Sequence, residues 1–449
     1  MGIPLHCGGL FVRQATFFLW GVLVFAPATV YNLFCIGLYI FKCRKHIRPG
    51  RDPAQSRGKE EPQGMRTNAE LHYLDNAATT MVDPAVADAI DRAVRNSWAN
   101  PSSLYEPAIL AEQQLASARG KVAHSLGCAA KEIYFTACGS ESNNLAILGA
   151  AMARRAWGNR IVVTGFEHPS VQRPIRALKD QGFEVVEILP EADGHLNVDR
   201  LVEAVDKNTV LACCMAVNNE TGALQDIKRF SDGVKAKNSR TAVHVDAVQA
   251  WLRIPLNMKT LSHVDTLAVS GHKVHAPKGI GALYLCENQR QHLVPPYLGG
   301  HQERGIRPGT ENLPYAVGLG VAAEQGAKKI AANARAAAAL NARLRAGLAE
   351  LPGVTIHSPE GAVPEVLNFS TNCVNSQTFI TYLSDRKIYV SGGSACDKGE
   401  PSHTLQAMGC DGTAIATALR VSFCADNDEV DVDALLAGLR AGMQELQHI

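Results

Sequence analysis

The sequence predicts an α/β protein: a large domain with a mainly parallel sheet flanked by helices, plus a smaller α+β domain. Three observations lead there. From Leu71 onward, apolar runs of strand length alternate with helical stretches. Those runs are nearly continuous, the mark of strands buried on both faces of a parallel sheet. After about residue 325 the texture shifts to a long Ala- and Leu-rich helix, then a strand and a glycine-rich loop. With 449 residues, 46% of them hydrophobic, the chain can bury a large core.

The first 64 residues stand apart. Phe17 to Phe41 carries no charge, and Lys42, Arg44, Lys45, Arg48 and Arg51 follow it, with only Arg13 before. At 1.5 Å per residue such a run spans a bilayer of about 30 Å, and Pro27 would kink it without forbidding it. The positive-inside rule then puts the C-terminal side in the cytoplasm. A cleaved signal peptide fits less well, because the apolar run is too long and the basic residues lie on the wrong side. Residues 49–64 read as a flexible linker. An over-extended translation start, with Met65 opening the working protein, is the other reading of this stretch.

The strands expected next are 160–165, 183–189, 210–217, 241–247, 265–271 and 281–286, with helical patterns at Val171–Gln181 and Val198–Val205. The late elements are a helix over 326–351, a strand over 365–370, the loop SGGSACDKG and an amphipathic helix over 431–446. The domain boundaries expected are 1–64 for the N-terminal segment, 89–325 for the large domain, and 65–88 with 326–449 for the small one.

Net charge is +1, but residues 1–64 hold +5 and the remainder −4. A slightly acidic body argues against nucleic-acid binding, which rests on basic surface. Twelve cysteines occur without any C-x-x-C pair. That excludes a zinc ribbon or a dense disulfide scaffold, and no metal is expected.

Several strand ends deliver polar groups that a purely structural sheet does not need. Ser270, His272 and Lys273 end one, Asp246 and Gln249 another; His168 follows the strand 160–165, and Asn218 and Asn219 follow 210–217. Singly each is weak: a lone lysine after a strand is usually solvated, and a lone aspartate usually caps a turn. As a set they resemble what pyridoxal 5′-phosphate (PLP) requires. The lysine forms a Schiff base, and a carboxylate keeps the ring nitrogen protonated so that the ring accepts electrons. TACGSESNN (136–144) opens a helix with small residues and hydroxyls, a setting that favours a phosphate.

YLDNAATT, TACGSESNN, EHPS, NNETG, HVDAVQ, SGHKVHAPKGIGALY, RPGTEN and SGGSACDKG stand in the order and spacing of the cysteine desulfurases. Over about residues 71–435 the chain resembles this family, NifS/IscS-like enzymes of PLP fold type I in the class-V aminotransferase superfamily. The resemblance implies roles. Lys273 would carry the cofactor, Asp246 would meet its ring nitrogen, and His168 would stack on the ring and move protons. Gln249 and Asn219 match contacts on the ring's phenolic-oxygen side. Ser140, Ser270, His272 and the backbone at Gly139 match phosphate contacts. Thr310 matches a residue that reaches the neighbouring subunit's phosphate, which implies a homodimer. Arg420 matches the clamp for the substrate carboxylate, where a bidentate guanidinium is apt.

Two positions depart from the family's usual phosphate loop. Ala137 and Cys138 replace a Ser-Gly pair and Ser140 a threonine, so Cys138 is expected to strain the turn. Cys396 lies among Gly392, Gly393 and Gly399, with Lys398 and His403 close in sequence. Small polar neighbours suit a thiolate that attacks substrate sulfur and carries it away. The resemblance therefore implies L-cysteine as substrate, L-alanine as product, a persulfide on Cys396, and a sulfur-acceptor protein in iron–sulfur assembly or tRNA thiolation. Selenocysteine lyase is the neighbouring alternative. An aminotransferase leaves the Cys396 loop unexplained, and an inactive membrane-tethered scaffold leaves the whole residue set unexplained. Because residues 1–64 hold none of these side chains, a chain starting at Met65 is expected to be soluble, dimeric and active. Inactivity of that shortened chain in a sulfide-release assay would refute this.

Overall fold

The computed structural model describes residues 71–392 and 401–449. The segment 17–41 and the Cys396 loop lie outside them. Among the described residues, no helix is long and apolar enough to cross a membrane.

The strands, in chain order, are β1 (His72–Tyr73), β2 (Ile133–Thr136), β3 (Arg160–Thr164), β4 (Glu184–Ile188), β5 (Thr209–Met215), β6 (Ala242–Asp246), β7 (Thr266–Ser270), β8 (Gly281–Leu285), β9 (Thr355–Ile356), β10 (Val366–Ser370), β11 (Ile388–Tyr389) and β12 (Ala418–Ser422). Seven of them form one sheet in the order β2-β8-β7-β6-β5-β3-β4. From β7 to β4 neighbouring strands are parallel, while β8 runs antiparallel to both β7 and β2. Every residue of β5, β6, β7 and β8 is buried, which explains their uninterrupted apolar character. All six expected strands of this sheet are present, with ends shifted by one or two residues. β2 was not anticipated: only four residues long, it follows a short turn and offers little periodicity.

The helices are α1 (Pro84–Asn96), α2 (Glu106–Ser125), α3 (Gly139–Ala153), α4 (Pro169–Asp180), α5 (Val198–Glu203), α6 (Ile227–Lys237), α7 (Leu313–Ala349), α8 (Ser376–Asp385), α9 (His403–Ala407), α10 (Gly412–Ala416) and α11 (Glu429–Glu445). The long helix starts at Leu313, thirteen residues before the expected start, because the Asn312 side chain caps it and Pro314 occupies its first turn. Its two halves serve different cores. Leu313, Ala316, Leu319, Ala322 and Ala323 join the cluster packed on the large sheet. Ala337, Leu340, Leu344 and Leu348 join a second cluster with Phe369, Leu419, Val421 and Leu439. Buried aliphatics and phenylalanines of this kind contribute about 1.5–3 kcal/mol each when removed from water.

Edge strand β2 is shielded by a side chain. Glu303 accepts the Phe135 N–H at 3.0 Å and pairs with Arg119 at 2.6 Å. Its carboxylate thus closes a backbone donor that would otherwise be open to another strand.

The parallel run matters for function because the C-terminal ends of β3, β5, β6 and β7 then lie along one edge. β2, reversed twice through β8, ends there too. At that edge Gly281 packs flush: a Cβ there would lie 2.8 Å from both the Cys138 carbonyl carbon and the Val269 oxygen. Both are backbone atoms and cannot turn aside. Gly281→Ala is expected to cost about 2 kcal/mol in urea unfolding. Gly120→Ala, at a position in α2 with open space for a Cβ, should instead stabilise by about 0.5–1 kcal/mol.

Candidate active site

Ten of the expected side chains or backbones surround one cavity: Gly139, Ser140, His168, Asn219, Asp246, Gln249, Ser270, His272, Lys273 and Arg420. It encloses about 720 Å³, its open mouth included. Each wall follows from local chain geometry. β7 ends at Ser270 and turns into a short 3₁₀ segment, Gly271–Lys273, that swings the lysine inward. Lys273 Nζ donates to the carbonyls of Ala77 and Ala78 at 2.6 and 2.7 Å. His168 is the N-cap of α4, with Pro169 directly after it, so helix initiation fixes its backbone. Arg420 arrives from β12 and is 1% exposed. It donates to Asp75 at 2.8 Å and to the Asn219 carbonyl at 3.0 Å.

Asp246 sits 5% exposed at the end of β6. It accepts the Val248 N–H at 2.9 Å and the Asn143 amide at 2.8 Å. Gln249 donates to the Ala77 carbonyl at 2.9 Å and accepts from Arg253. Burial, with the cations Lys273 and Lys278 and the imidazole of His168, lowers the His272 imidazole to about 4. His272 is therefore neutral near pH 7.

The cavity suits PLP at its phosphate end. Ser270 Oγ is buried without a hydrogen-bond partner, a donor awaiting an acceptor. A Cβ on Gly139 would sit 2.5 Å from Val248 Cγ2 and 3.3 Å from Ser270 Cβ. The glycine thus lets the start of α3 lie close against Val248 and Ser270 at this end of the cavity. The expected strain at Cys138 is absent: its φ of −173° is extended backbone that any residue adopts.

Thr310 is exposed and not part of this lining. Asn218 is structural, its carboxamide oxygen accepting the Glu220 and Thr221 N–H groups at 2.9 Å. His403 is tied to Gln172 at 2.9 Å. Residues not foreseen are Asp75, Ala77, Ala78, Asn143, Ser170, Met215 and Val248. Ala77 and Ala78 act through backbone carbonyls, and Met215 and Val248 are apolar walls, so residue type carries no signal for them. No cluster of metal ligands occurs among the described residues.

A sequence profile of the aminotransferase class-V family matches residues 72–435. The chain is 39% identical over 368 residues to a cysteine desulfurase of Nostoc sp., covering 81% of this chain and 90% of that one. It is 36% identical over 392 residues to the cysteine desulfurase IscS of Methanosarcina thermophila, covering 87% and 96%. The chain belongs to the cysteine desulfurase family. A solved structure titled NifS-like protein superimposes with a TM-score of 0.79 at 35% identity, covering 83% of this chain and 99% of the other. The fold is thus that of the NifS-like, PLP-dependent fold type I enzymes, and the chain is an enzyme of that class.

Behind the cavity of this desulfurase family member lies Glu167, 3% exposed. One carboxyl oxygen accepts from Thr164 Oγ1 at 2.8 Å and the Met215 N–H at 2.6 Å. Burial, then the Asp246 charge, pushes its pKa up to about 8. In the unfolded chain it returns to the ordinary carboxylate value, so between those values the folded state holds the extra proton. Glu167 therefore contributes stability that is complete at low pH and lost as pH rises through about 8. Glu167→Gln is expected to fold and to lose less stability than the parent as pH rises from about 5 to about 8 in thermal melts. A parallel decline in both proteins would refute this.

Proposed function

We propose that the chain acts as a homodimeric, PLP-dependent L-cysteine desulfurase that passes sulfur to an acceptor protein. The observation that carries this reading is the convergence of Lys273, Asp246, His168 and Arg420 on one cavity. When bound, PLP supplies an electron-accepting ring that stabilises the negative charge left when a proton leaves the substrate Cα. Ser140, Ser270, His272 and the start of α3 would hold its phosphate, and Gln249 and Asn219 its ring oxygen. Asp246 would hold a proton on its ring nitrogen.

The remaining work falls to the chain. Arg420 receives the carboxylate of the amino acid; its Nε is buried and without a partner, so donor capacity remains there. Lys273, at the end of a turn rather than in the sheet, takes the Cα proton and returns one later. The Cys396 thiolate attacks the substrate sulfur. An S–S bond forms as the carbon–sulfur bond breaks, and the pair left on carbon takes up a proton. The net change is L-cysteine plus Cys396 thiol to L-alanine plus Cys396 persulfide.

Exposed apolar side chains at Trp98, Leu104, Tyr105, Ile109 and Leu110 support a homodimer. Thr310, exposed in one protomer, would serve the neighbouring subunit's phosphate. The separate cores support a large lobe over 89–325 and a small one over 326–449, dividing within α7; of the stretch 71–88, Leu74 joins the small core and Ala77 and Val86 the large one. The basic residues after 17–41 support a catalytic body on the cytoplasmic side where that segment anchors it.

Two substitutions test the reading. Lys273→Ala should abolish turnover and the visible absorbance of the bound cofactor. Cys396→Ser should keep that absorbance while sulfide and alanine release fall together by about three or more orders of magnitude, since a hydroxyl is a poor nucleophile towards sulfur. Mass spectrometry should find the extra sulfur on the Cys396 peptide. A fully active Cys396→Ser protein would overturn the mechanism. Activity retained on selenocysteine alone would point to selenocysteine lyase.

A further inference from the structure

Beneath the cavity runs one continuous line of hydrogen bonds. Thr266 Oγ1 lies 2.9 Å from His244 Nδ1, and His244 Nε2 lies 2.9 Å from Asn143 Oδ1. Asn143 Nδ2 is 2.8 Å from Asp246 Oδ2 and 2.8 Å from Ser170 Oγ. Ser170 Oγ is 2.8 Å from His168 Nδ1, and the Ser170 backbone N–H points at that same nitrogen at 3.1 Å. Asn143, His244 and Asp246 are all buried.

Donor and acceptor chemistry leaves this line a single direction. A carboxylate only accepts, so the side of Asn143 facing Asp246 is its NH₂. Its oxygen then faces His244, which must donate from Nε2. Burial lowers His244 to about 3, so the ring is neutral and carries one proton. That leaves Nδ1 bare to accept from Thr266. At the other end, the second Asn143 N–H occupies a Ser170 lone pair and frees the hydroxyl proton for His168. A backbone N–H can only donate, so His168 Nδ1 faces two donors and carries no proton of its own.

We propose that Asn143 is a positioning residue that sets the direction of this line, holding Asp246 as an acceptor and, through Ser170, holding His168 as the neutral tautomer protonated on Nε2. This rests on the desulfurase reading of the cavity. His168 then meets the reacting groups as an N–H donor, in the manner of a neutral imidazole that polarises rather than accepts. A proton on Nδ1 would oppose the Ser170 N–H and turn back the hydroxyl.

The test is ¹⁵N NMR of the holoenzyme with labelled histidine, using His168→Gln to assign the signal. Wild-type His168 should read as neutral, with its proton on Nε2. Asn143→Asp has nearly the same size but, beside Asp246, brings at most one proton where the amide brings two. It draws the Ser170 hydroxyl away from His168, so only the Ser170 N–H still opposes a proton on Nδ1 and the His168 signal should move towards a mixture of tautomers. Its kcat should fall about 10- to 100-fold, as for lost partners that orient an imidazole, with KM changed by less than about threefold. Ser170→Ala leaves the buried amide in place and should move the signal in the same sense, which keeps the test open where Asn143→Asp fails to fold. Wild-type His168 carrying its proton on Nδ1, or reading as imidazolium, would overturn the proposal. So would an unmoved signal in the variants. Failure of the desulfurase reading itself would appear separately, as wild-type protein without visible cofactor absorbance or without alanine release from cysteine.

Discussion

A buried carboxylate at the end of β6 dictates much of its surroundings. An anion this far from water is tolerated only when its lone pairs are met by donors. Asp246 is met by the Val248 N–H, which the chain supplies by turning directly after β6, and by Asn143 from α3. The second contact requires α3 to begin beside β6, and its start at Gly139 also lines the cavity. The neighbouring carboxyl, Glu167, does not share the charge: burial, and then the Asp246 charge, push its pKa up to about 8, so it stays protonated at neutral pH. Glu167 also meets two donors, Thr164 Oγ1 and the Met215 N–H, but both fall on one oxygen and the other is buried without a partner.

Much of the large sheet was legible in the sequence, because strands buried on both faces must be apolar without interruption. The polar residues at their ends were legible for the complementary reason: they break that rule where the strands stop. What escaped acts through atoms that residue type does not report. Ala77 and Ala78 receive the Lys273 ammonium through carbonyls. Asn143 lay in a stretch recognised for its hydroxyls and small residues, and its amide reaches Asp246 only because α3 turns that face inward. The expected strain at Cys138 failed because a missing glycine implies strain only at positive φ, and this residue is extended. The start of α7 was missed by thirteen residues because its first turns are rich in glycine and carry a proline, both of which read as breakers in an isolated sequence. Burial against the large sheet outweighs those preferences.

Arg420 shows how the two cores make one site. It lies in β12, which belongs to the three-stranded sheet of the smaller core, yet its guanidinium reaches Asn219 at the end of β5. It also pairs with Asp75 at 2.8 Å. Such a cation is held by partners on both sides, and taking one partner away would leave the buried charge exposed to its full desolvation cost. Its buried Nε has no acceptor among the described residues, so the guanidinium keeps donor capacity beside the cavity.

The described residues on either side of 393–400 are tied to this same wall. Ser391 exchanges backbone hydrogen bonds with Arg420, at 3.1 and 2.6 Å. Beyond the segment, Ser402 and Thr404 donate to the two oxygens of Glu220 at 2.5 and 3.0 Å. Glu220 directly follows Asn219, whose carbonyl Arg420 holds. Both flanks therefore meet at the Asn219 and Arg420 wall of the cavity. Arg420 and the Asn219–Glu220 pair thus tie the chain on both sides of residues 393–400 to one wall of the cavity.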